Sequence, residues 1–223
     1  MPQSSFILIT NQDHAYYEAA REIYNASFAD DERVPFDALV RWLAADDWQS
    51  ALGVLVDVGK VVAMGSVVFF ADYRMGYLPY LAVRDGLRGR GYGQTLVASL
   101  LDWVRERSQK TTGQAPRLTF WDVRDPEETN REAEKVIRQR RIEFYRRLGG
   151  EVLPIAYTYP PVAEGQPAVK SLLTACTYPP GKAISRQDAL DVAWLVCVVA
   201  SHEEPQNKYH KAALASIDLN WPE

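Results

Sequence analysis

The spacing of apolar residues at the start of the chain predicts one strand followed by two helices. A short apolar run predicts a strand over residues 6–10, and Asn11-Gln12-Asp13 behind it are typical of a helix start. Apolar side chains then recur at helical spacing over residues 16–28. A second helix is predicted from Pro35, so residues 29–34, with three acidic side chains, form the loop between two helices.

Three predicted strands lead to a glycine-rich stretch and a helix. Residues 52–58 and 61–70 are β-branched runs that predict a hairpin with its turn at Gly59-Lys60. The second run is apolar almost throughout, which predicts a strand covered on both faces. Residues 77–83 predict the next strand. The helix behind the glycines is predicted to end before Thr111, and its apolar face consists of Leu96, Val97, Leu100, Leu101 and Val104.

The second half of the chain continues the mixture of strands and helices. Residues 117–123 predict a strand, and Asp125-Pro126-Glu127-Glu128 predicts the start of a long helix that Gly149-Gly150 ends; its buried stripe is Val136, Ile137, Phe144, Tyr145 and Leu148. Residues 151–158 and 169–177 predict two further strands, and the tail from Ser185 predicts one or two helices. The order β-α-α-β-β-β-α-β-α-β-β-α indicates an α+β fold with one central sheet.

The glycine-rich stretch is a basic loop between a strand and a helix, RGRGYG at residues 88–93. Gly89, Gly91 and Gly93 allow positive φ and close approach of the backbone, so successive N–H groups can point at phosphate oxygens. The helix N-terminus behind them adds roughly half a positive charge. Arg88 and Arg90 can add bidentate, charge-assisted bonds. The stretch therefore favours a phosphate-bearing ligand.

Two well-known phosphate-binding motifs are excluded by spacing. The glycines alternate, which does not fit the G-x-G-x-x-G of dinucleotide-binding folds, and no Lys-Ser or Lys-Thr pair follows them as a P-loop requires. The loop predicts neither a nicotinamide or flavin enzyme nor an NTPase.

Length, charge and cysteine content narrow the class of protein. A chain of 223 residues fits one domain, or one domain with a modest extension. A net charge of -4 disfavours nucleic acid and anionic membranes as partners, and no apolar run is long enough for a signal peptide or a membrane span, so we expect a cytoplasmic protein. Cys176 and Cys197 lie in apolar surroundings without metal-site spacing, so we expect core packing and no metal.

The element order and two motifs together resemble the GNAT N-acetyltransferase superfamily. The superfamily's R/Q-x-x-G-x-G/A signature, after a strand that ends in an Ala-Val type of pair, is matched by residues 88–93 after Ala82-Val83, and FYRRLGG closes the fourth predicted helix. The resemblance covers residues 6–177. It implies a mixed, mostly antiparallel central sheet flanked by helices, an acyl-CoA-binding domain over residues 1–180, and a helical extension over residues 181–223 packed on the same domain.

The resemblance also implies roles for individual residues. Acetyl-CoA is the implied co-substrate, the backbone of Leu81 and Val83 would pair with its pantetheine arm, and the Val83 N–H would face the thioester carbonyl as an oxyanion donor. Tyr145 matches the tyrosine near the thioester sulfur, a general acid for the leaving thiolate, although its helical spacing also suits plain packing. The implied acyl-CoA site consists of Leu81, Ala82, Val83, Arg88, Gly89, Arg90, Gly91, Tyr92, Gly93 and Gln94.

The general base is left open by two departures from the superfamily's pattern. Arg138 stands where many members have a ligand-contacting Asn, and Pro79-Tyr80 stands where many have a Glu as base. Glu32 in the loop between the first helices and Asp122 in the strand before the long helix are the candidate bases. His14 and Glu143 are weaker candidates, and a water relay is an equal alternative.

Two other groups of residues have both a functional and a structural interpretation. The arginines of residues 138–147 can bind the 3′-phosphate of coenzyme A or an acidic partner, or form a solvated face paired with Glu134 and Glu143. Four aromatic residues can line an acceptor pocket or belong to the core; they are Phe28, Trp121, Tyr157 and Tyr159.

The leading hypothesis is an acyl-CoA-dependent N-acetyltransferase that transfers acetyl directly to a primary amine of a small molecule or peptide. No motif positions a cysteine nucleophile, which favours one-step transfer. An acyl-CoA-binding sensor or interaction module with little catalysis is the alternative. Nucleic-acid binding through the arginines is disfavoured by the net charge. Both a monomer and a homodimer are compatible with the sequence.

Overall fold

The fold is described from a computed structural model that covers residues 4–43, 49–162 and 165–221, without the side chain of Trp42. It contains nine strands and six α-helices within those residues. The strands are β1 (Ser5–Ile9), β2 (Gln49–Asp57), β3 (Lys60–Phe70), β4 (Met75–Tyr77), β5 (Leu81–Val83), β6 (Leu118–Arg124), β7 (Glu151–Val152), β8 (Tyr157–Tyr159) and β9 (Val169–Thr177). The helices are α1 (Tyr17–Ser27), α2 (Phe36–Leu43), α3 (Tyr92–Thr112), α4 (Glu132–Arg147), α5 (Arg186–Trp194) and α6 (Lys208–Asn220).

The chain divides into two compact units, Met1–Thr119 and Phe120–Glu223, and the boundary falls within β6. In the first unit β3 is the central strand, since β2, β4 and β5 all pair with it in antiparallel fashion. β3 is buried from Val61 to Phe70, which confirms a strand covered on both faces. The hairpin turn lies at Val58-Gly59, one residue before the predicted position, because both residues adopt the positive φ that a tight hairpin turn needs.

The strand predicted over residues 77–83 is two short strands separated by a bulge. Val68 pairs with Tyr77, whereas Gly65 pairs with Leu81, so four steps along one strand oppose three along β3. Pro79 lies inside this extra segment and has no N–H to donate to the ladder. The prediction of one continuous strand was wrong, because a bulge bends the chain between β4 and β5.

Helices α1 and α3 pack against β3 and β5. α1 begins at Tyr17, later than Asn11-Gln12-Asp13 suggested, because the Asn11 side chain accepts the Asp13 N–H at 3.0 Å and forms a local turn. α3 continues through Thr112 and ends at Gly113, whose left-handed conformation terminates the helix. Gly65 sits beneath α3, and a Cβ there would lie 2.8 Å from Leu100. The small residue thus permits close contact between this helix and the sheet.

In the second unit, the residues after β6 do not start a long helix. Asp125 accepts the Glu127 N–H at 2.9 Å and caps a short 3₁₀-helix over Pro126–Glu128, and α4 begins separately at Glu132. Gly149 ends the helix region in a left-handed conformation, as predicted. Ile137 was expected on the buried stripe but is 55% exposed.

β9 is the strand with which both β7 and β8 pair, in antiparallel fashion. The strand predicted over residues 151–158 is therefore two short strands on one partner. The predicted C-terminal helices are present: α5 starts at the Ser185–Asp188 capping box and continues into a π-helix over Leu195–Val199. The Asn207 side chain caps α6 and donates to the Cys197 carbonyl at 2.7 Å, so it also satisfies an acceptor of the π-helix.

The α+β class with a mostly antiparallel sheet and C-terminal helices is confirmed. No helix in the described ranges is both long and apolar enough to cross a membrane. The same residues contain no group of three or more His, Cys, Asp or Glu side chains arranged to hold a metal ion.

Candidate active site

The short strand β5 is held to β3 by hydrogen bonds at both of its ends. The Ser66 N–H donates to the Tyr80 carbonyl at 2.9 Å, and the Arg84 N–H donates to the Val62 carbonyl at 2.9 Å. The Arg84 guanidinium adds a bond to the Val61 carbonyl at 3.1 Å. These contacts fix the backbone of β5 on the side that faces β3.

The alternation of an antiparallel ladder then determines where the backbone groups between those ends point. Hydrogen-bonded residues alternate with non-bonded ones, so Ala82, which pairs with Met64, is bonded to β3. Leu81 and Val83 occupy the non-bonded positions, and their N–H and C=O groups point to the side of β5 away from β3. That edge is able to pair with an extended ligand arm, and the Val83 N–H is an outward donor.

The glycine loop leads from β5 into the N-terminus of α3. Gly89 and Gly91 have φ of +79° and +89°, and Gly91 is the N-cap residue of the helix, with no side chain capping the first turn. The first N–H groups of α3, from Tyr92 to Gln94, are therefore available to an anion. The space beyond the α-carbon of Gly89 is open. Arg88 and Arg90 are both exposed beside this helix end.

Tyr92 contributes to this site through its backbone, because its side chain has another partner. The ring is buried and the hydroxyl donates to the Asp57 carboxylate at the end of β2. That hydrogen bond is the main cause that raises the pKa of Tyr92 above its usual value. The bond ties the start of α3 to the β2–β3 hairpin, so the side chain fixes the loop in place.

The acidic loop between α1 and α2, residues 29–34, is closed by its own hydrogen bonds. The Glu32 carboxylate accepts the Ala29 N–H at 3.3 Å, and the Glu32 N–H donates to the Ala29 carbonyl at 3.0 Å. Arg33 bonds to Asp30 at 2.6 Å and also to Asn25. The candidate base Glu32 thus has a defined position at a half-exposed site.

An aromatic cluster lies behind this loop. Tyr24 packs against Phe28, Phe36 and Tyr80 with ring centroids 5.3, 5.2 and 4.9 Å away, and Phe28 also meets Tyr80 at 5.0 Å. Two tyrosine hydroxyls reach the loop: Tyr24 donates to the Val34 carbonyl at 3.0 Å and Tyr80 to the Glu32 carbonyl at 3.2 Å. In the sequence Tyr80 was noted only as a departure from the superfamily's pattern, and the structure adds its hydrogen bond to the acidic loop.

Tyr145 and Asp122, the remaining catalytic candidates, lie in the second unit. Tyr145 is buried, its ring lies 4.9 Å from that of Trp121, and burial raises its pKa to about 12. Asp122 follows Trp121 on β6, and its charge also raises the pKa of Tyr145, whereas Arg141 lowers it. The Tyr145 hydroxyl is therefore protonated at neutral pH.

Arg138 makes structural bonds within the second unit. Its buried guanidinium donates to the Asp125 carbonyl at 2.6 Å and pairs with Glu134 on the same helix. These bonds connect α4 to the end of β6. The other arginines of residues 138–147 are exposed; they are Arg140, Arg141, Arg146 and Arg147. The expected pairing with Glu134 is present for Arg138.

The weaker candidates occupy ordinary structural positions. The His14 Nδ1 accepts the Tyr16 N–H at 3.2 Å, and Glu143 is exposed on α4. Tyr157 is buried in β8 with its ring 6.5 Å from that of Tyr159. Cys176 and Cys197 are both buried, as expected, and burial raises the pKa of Cys197 to about 12.

A model of the acetyltransferase (GNAT) family matches residues 17–149, which is more than half of the chain. The chain belongs to the GNAT acetyltransferase family. The match spans the α1–α2 loop, β5, the glycine loop and α4, so the resemblance noted in the sequence is confirmed. No curated protein matches the chain.

Solved structures of GNAT proteins share the fold. A protein assigned to the GNAT family from Bacteroides thetaiotaomicron is 21% identical, with a TM-score of 0.67, and the match covers 88% of this chain and 98% of that one. A ribosomal-protein-alanine N-acetyltransferase from Brucella melitensis is 19% identical (TM-score 0.54; 78% and 99% covered). A Bacillus subtilis acetyltransferase solved with CoA is 9% identical (TM-score 0.53; 78% and 98% covered).

GNAT enzymes use acetyl-CoA as co-substrate, and the residues of the first unit fit that molecule. The uncapped N-terminus of α3 and the exposed arginines suit its pyrophosphate. The outward edge of β5 suits its amide-containing arm. Sequence reasoning identified both features but missed the bulge and the Tyr92–Asp57 bond. The bulge depends on the register with β3, and the Tyr92–Asp57 bond joins residues 35 positions apart.

Proposed function

We propose that this GNAT protein is an N-acetyltransferase that transfers acetyl from acetyl-CoA directly to a primary amine of a small molecule or peptide. The observation that carries the proposal is the outward direction of the Leu81 and Val83 backbone groups, next to an uncapped helix N-terminus. An extended pantetheine arm along β5 brings its thioester beside the Val83 N–H, while the pyrophosphate lies at α3.

In the proposed reaction the amine nitrogen attacks the thioester carbonyl carbon and the carbon–sulfur bond breaks. The Val83 N–H donates to the carbonyl oxygen as negative charge develops there. A preformed donor of this kind needs no reorganisation during the reaction, because β3 already fixes the strand that holds it.

Two proton transfers complete the reaction. Tyr145 gives its hydroxyl proton to the departing thiolate, a role that its pKa of about 12 supports because the hydroxyl is protonated at neutral pH. The amine loses its proton to Glu32, to Asp122 or to a water molecule. Glu32 is the candidate that lies in the loop between α1 and α2, where we place the acceptor amine.

The acceptor is proposed as a class. The Brucella melitensis neighbour is named for acetylating an alanine of a ribosomal protein, which is a peptide amine. We extend to this chain only the amine chemistry. A small-molecule amine and a peptide N-terminus present the same nucleophile, and the test must include both.

The proposal is tested by release of free thiol from acetyl-CoA in the presence of a panel of small amines and peptides. We expect amine-dependent thiol release together with a mass shift of one acetyl group on the amine. Tyr145→Phe should lower kcat by roughly 10²–10⁴-fold. Tyr209→Phe on α6 is the matched control, since it removes a hydroxyl that makes no hydrogen bond within the described residues, and it should leave kcat unchanged.

An acyl-CoA sensor with little catalysis is the second candidate. It is favoured by one observation: Tyr80, at the position where many relatives carry a base, is buried and bonded to the Glu32 carbonyl. Both candidates predict binding of acetyl-CoA, which a thermal shift detects, because ligand at 100 times Kd adds about 2.7 kcal/mol of stability. Only the enzyme predicts amine-dependent thiol release.

A further inference from the structure

We propose that Tyr80 is a positioning residue that holds the loop over residues 29–34 at a fixed distance from the donor strand β5. The inference rests on the proposed function in one respect, namely that this loop receives the acceptor amine. It predicts that Tyr80 controls the use of the acceptor and not the binding of acetyl-CoA.

The main chain of Tyr80 is fixed by the sheet. Its carbonyl accepts the Ser66 N–H at 2.9 Å, and it directly precedes Leu81, the first residue of β5. Its side chain lies in the aromatic cluster, and the residue is only 6% exposed. Tyr80, the residue directly before the donor strand, thus has little freedom to move.

The side chain of Tyr80 connects this fixed point to the loop. Its ring makes edge contacts with Tyr24 and Phe28, at centroid distances of 4.9 and 5.0 Å, and its hydroxyl donates to the Glu32 carbonyl at 3.2 Å. The Tyr24 hydroxyl donates to the Val34 carbonyl at 3.0 Å. Two hydroxyls from the core therefore hold carbonyls that are two residues apart.

The loop can transmit this restraint because it is closed internally. Glu32 bonds to Ala29 through both its carboxylate and its N–H, and Arg33 bonds to Asp30. A closed loop moves as a unit, so releasing the Glu32 carbonyl shifts the Glu32 carboxylate as well. The Ala29 and Glu32 N–H groups have their partners inside the loop, and a loop without the Tyr80 anchor opens these bonds more often, so hydrogen exchange reports the loss of the restraint.

A purely structural role for Tyr80 makes a different prediction from a positioning role. Replacing a core residue that only adds stability lowers the melting temperature and leaves the kinetic constants of the folded protein unchanged. Replacing a positioning residue changes the KM for the amine while the Kd for acetyl-CoA stays constant, because β5 and α3 are held by other bonds.

The experiment compares Tyr80→Phe with Tyr73→Phe. The first variant keeps the ring and removes the hydroxyl that bonds to Glu32. The second removes a hydroxyl that makes no hydrogen bond within the described residues, in the turn between β3 and β4. For both variants we measure the amine KM and kcat, the Kd for acetyl-CoA by calorimetry, and the hydrogen exchange of peptides covering residues 29–34 and 92–112.

For Tyr80→Phe we expect the amine KM to rise about three- to ten-fold, the size of one neutral hydrogen bond. Hydrogen exchange should accelerate in residues 29–34 and not in residues 92–112, and the Kd for acetyl-CoA should stay within two-fold, roughly the effect of a few tenths of a kcal/mol. Tyr73→Phe should match the wild type in every measurement.

The outcomes separate this inference from the proposed function. If Tyr80→Phe leaves both the amine KM and the exchange of residues 29–34 unchanged, the positioning role is wrong even though acetyl transfer is intact. If no amine is acetylated by the wild type, the proposed function fails, and the exchange measurement alone decides the positioning role. A larger loss of acetyl-CoA binding than of amine binding also overturns it.

Discussion

The outward Val83 N–H can be removed without cutting the β3–β5 ladder, because proline lacks that hydrogen. Val83 occupies a non-bonded position opposite Ala63, so Val83→Pro deletes the proposed oxyanion donor and no sheet hydrogen bond. Proline also disfavours helical conformation in the residue before it, and Ala82 is already extended in β5. The substitution is therefore compatible with the local backbone.

The expected loss in rate follows from the number of donors removed. Deleting one oxyanion-hole donor typically lowers kcat by about 10²–10³-fold. The Val83 side chain is half-buried, and proline restores part of its apolar area, so the folded state should lose little stability. We expect a large fall in kcat with a small fall in melting temperature.

Ala82→Pro is the matched control, since it deletes an N–H that points to β3. It removes a ladder bond next to Met64, which is completely buried, and we expect it to destabilise the protein far more than Val83→Pro does. Steady-state kinetics and thermal melting of both variants are compared. A folded Val83→Pro protein with less than a ten-fold loss of kcat would refute the oxyanion role.

Three further predictions concern packing, backbone conformation and pH. Gly65→Ala places a methyl group 2.8 Å from Leu100 and 2.9 Å from Leu81, so we expect thermal melting to show a loss of about 1–3 kcal/mol in the free energy of unfolding. Leu100→Ala should relieve part of this loss in the double variant, and strictly additive effects of the two substitutions would contradict the prediction. Gly89→Ala should weaken acetyl-CoA binding and lower the free energy of unfolding by about 1 kcal/mol or more, because alanine is strained at the positive φ of this position. Gly89→Asn should lose less stability, since Asn tolerates that conformation better; calorimetry measures the binding and thermal melting the stability. Burial lowers the pKa of His210, so the stability that the neutral side chain contributes is lost as the pH falls below the unfolded pKa of about 6.5. In a pH series, the melting temperature of His210→Gln should therefore fall less steeply towards acid pH than that of the wild type.

The parts of the site that depend on local sequence were predictable. Gly89 and Gly91 have the positive φ expected of them, whereas Gly93, expected to share it, lies in the first turn of α3 with helical φ. The apolar face of α3 is buried where its spacing indicated. Both features are encoded within one segment: a glycine tolerates a left-handed conformation by itself, and a helical period requires no knowledge of distant residues.

The parts that depend on pairing between segments were not predictable. Residues 77–83 read as one strand, and only the register against β3 shows that Pro79 lies in a bulge. Likewise, Asn11 is a good helix-capping residue by type, yet it caps a turn before α1. Arg138 appeared to be part of a solvated cluster, but its buried bond to the Asp125 carbonyl depends on where the 3₁₀-helix begins. In each case a tertiary contact decided between locally equivalent conformations.

The bulge also bears on the identity of the general base. Tyr80 is committed to the Glu32 carbonyl, so the position where many relatives carry a base instead supports the loop that contains the candidate base Glu32. Glu32→Gln retains an oxygen to accept the Ala29 N–H and leaves the main-chain carbonyl in place, so it removes the charge with little change in structure. Asp122→Asn is the equivalent substitution on β6.

We expect Glu32→Gln to lower kcat/KM for the amine by roughly 10²–10⁴-fold and Asp122→Asn to lower it much less, because we propose that the amine binds at the loop and not at β6. Unchanged acetyl-CoA binding and an unchanged melting temperature would assign the loss to chemistry. The reverse order of effects would make Asp122 the base. If neither variant loses activity, a water molecule removes the proton, and the loop serves only to hold the acceptor.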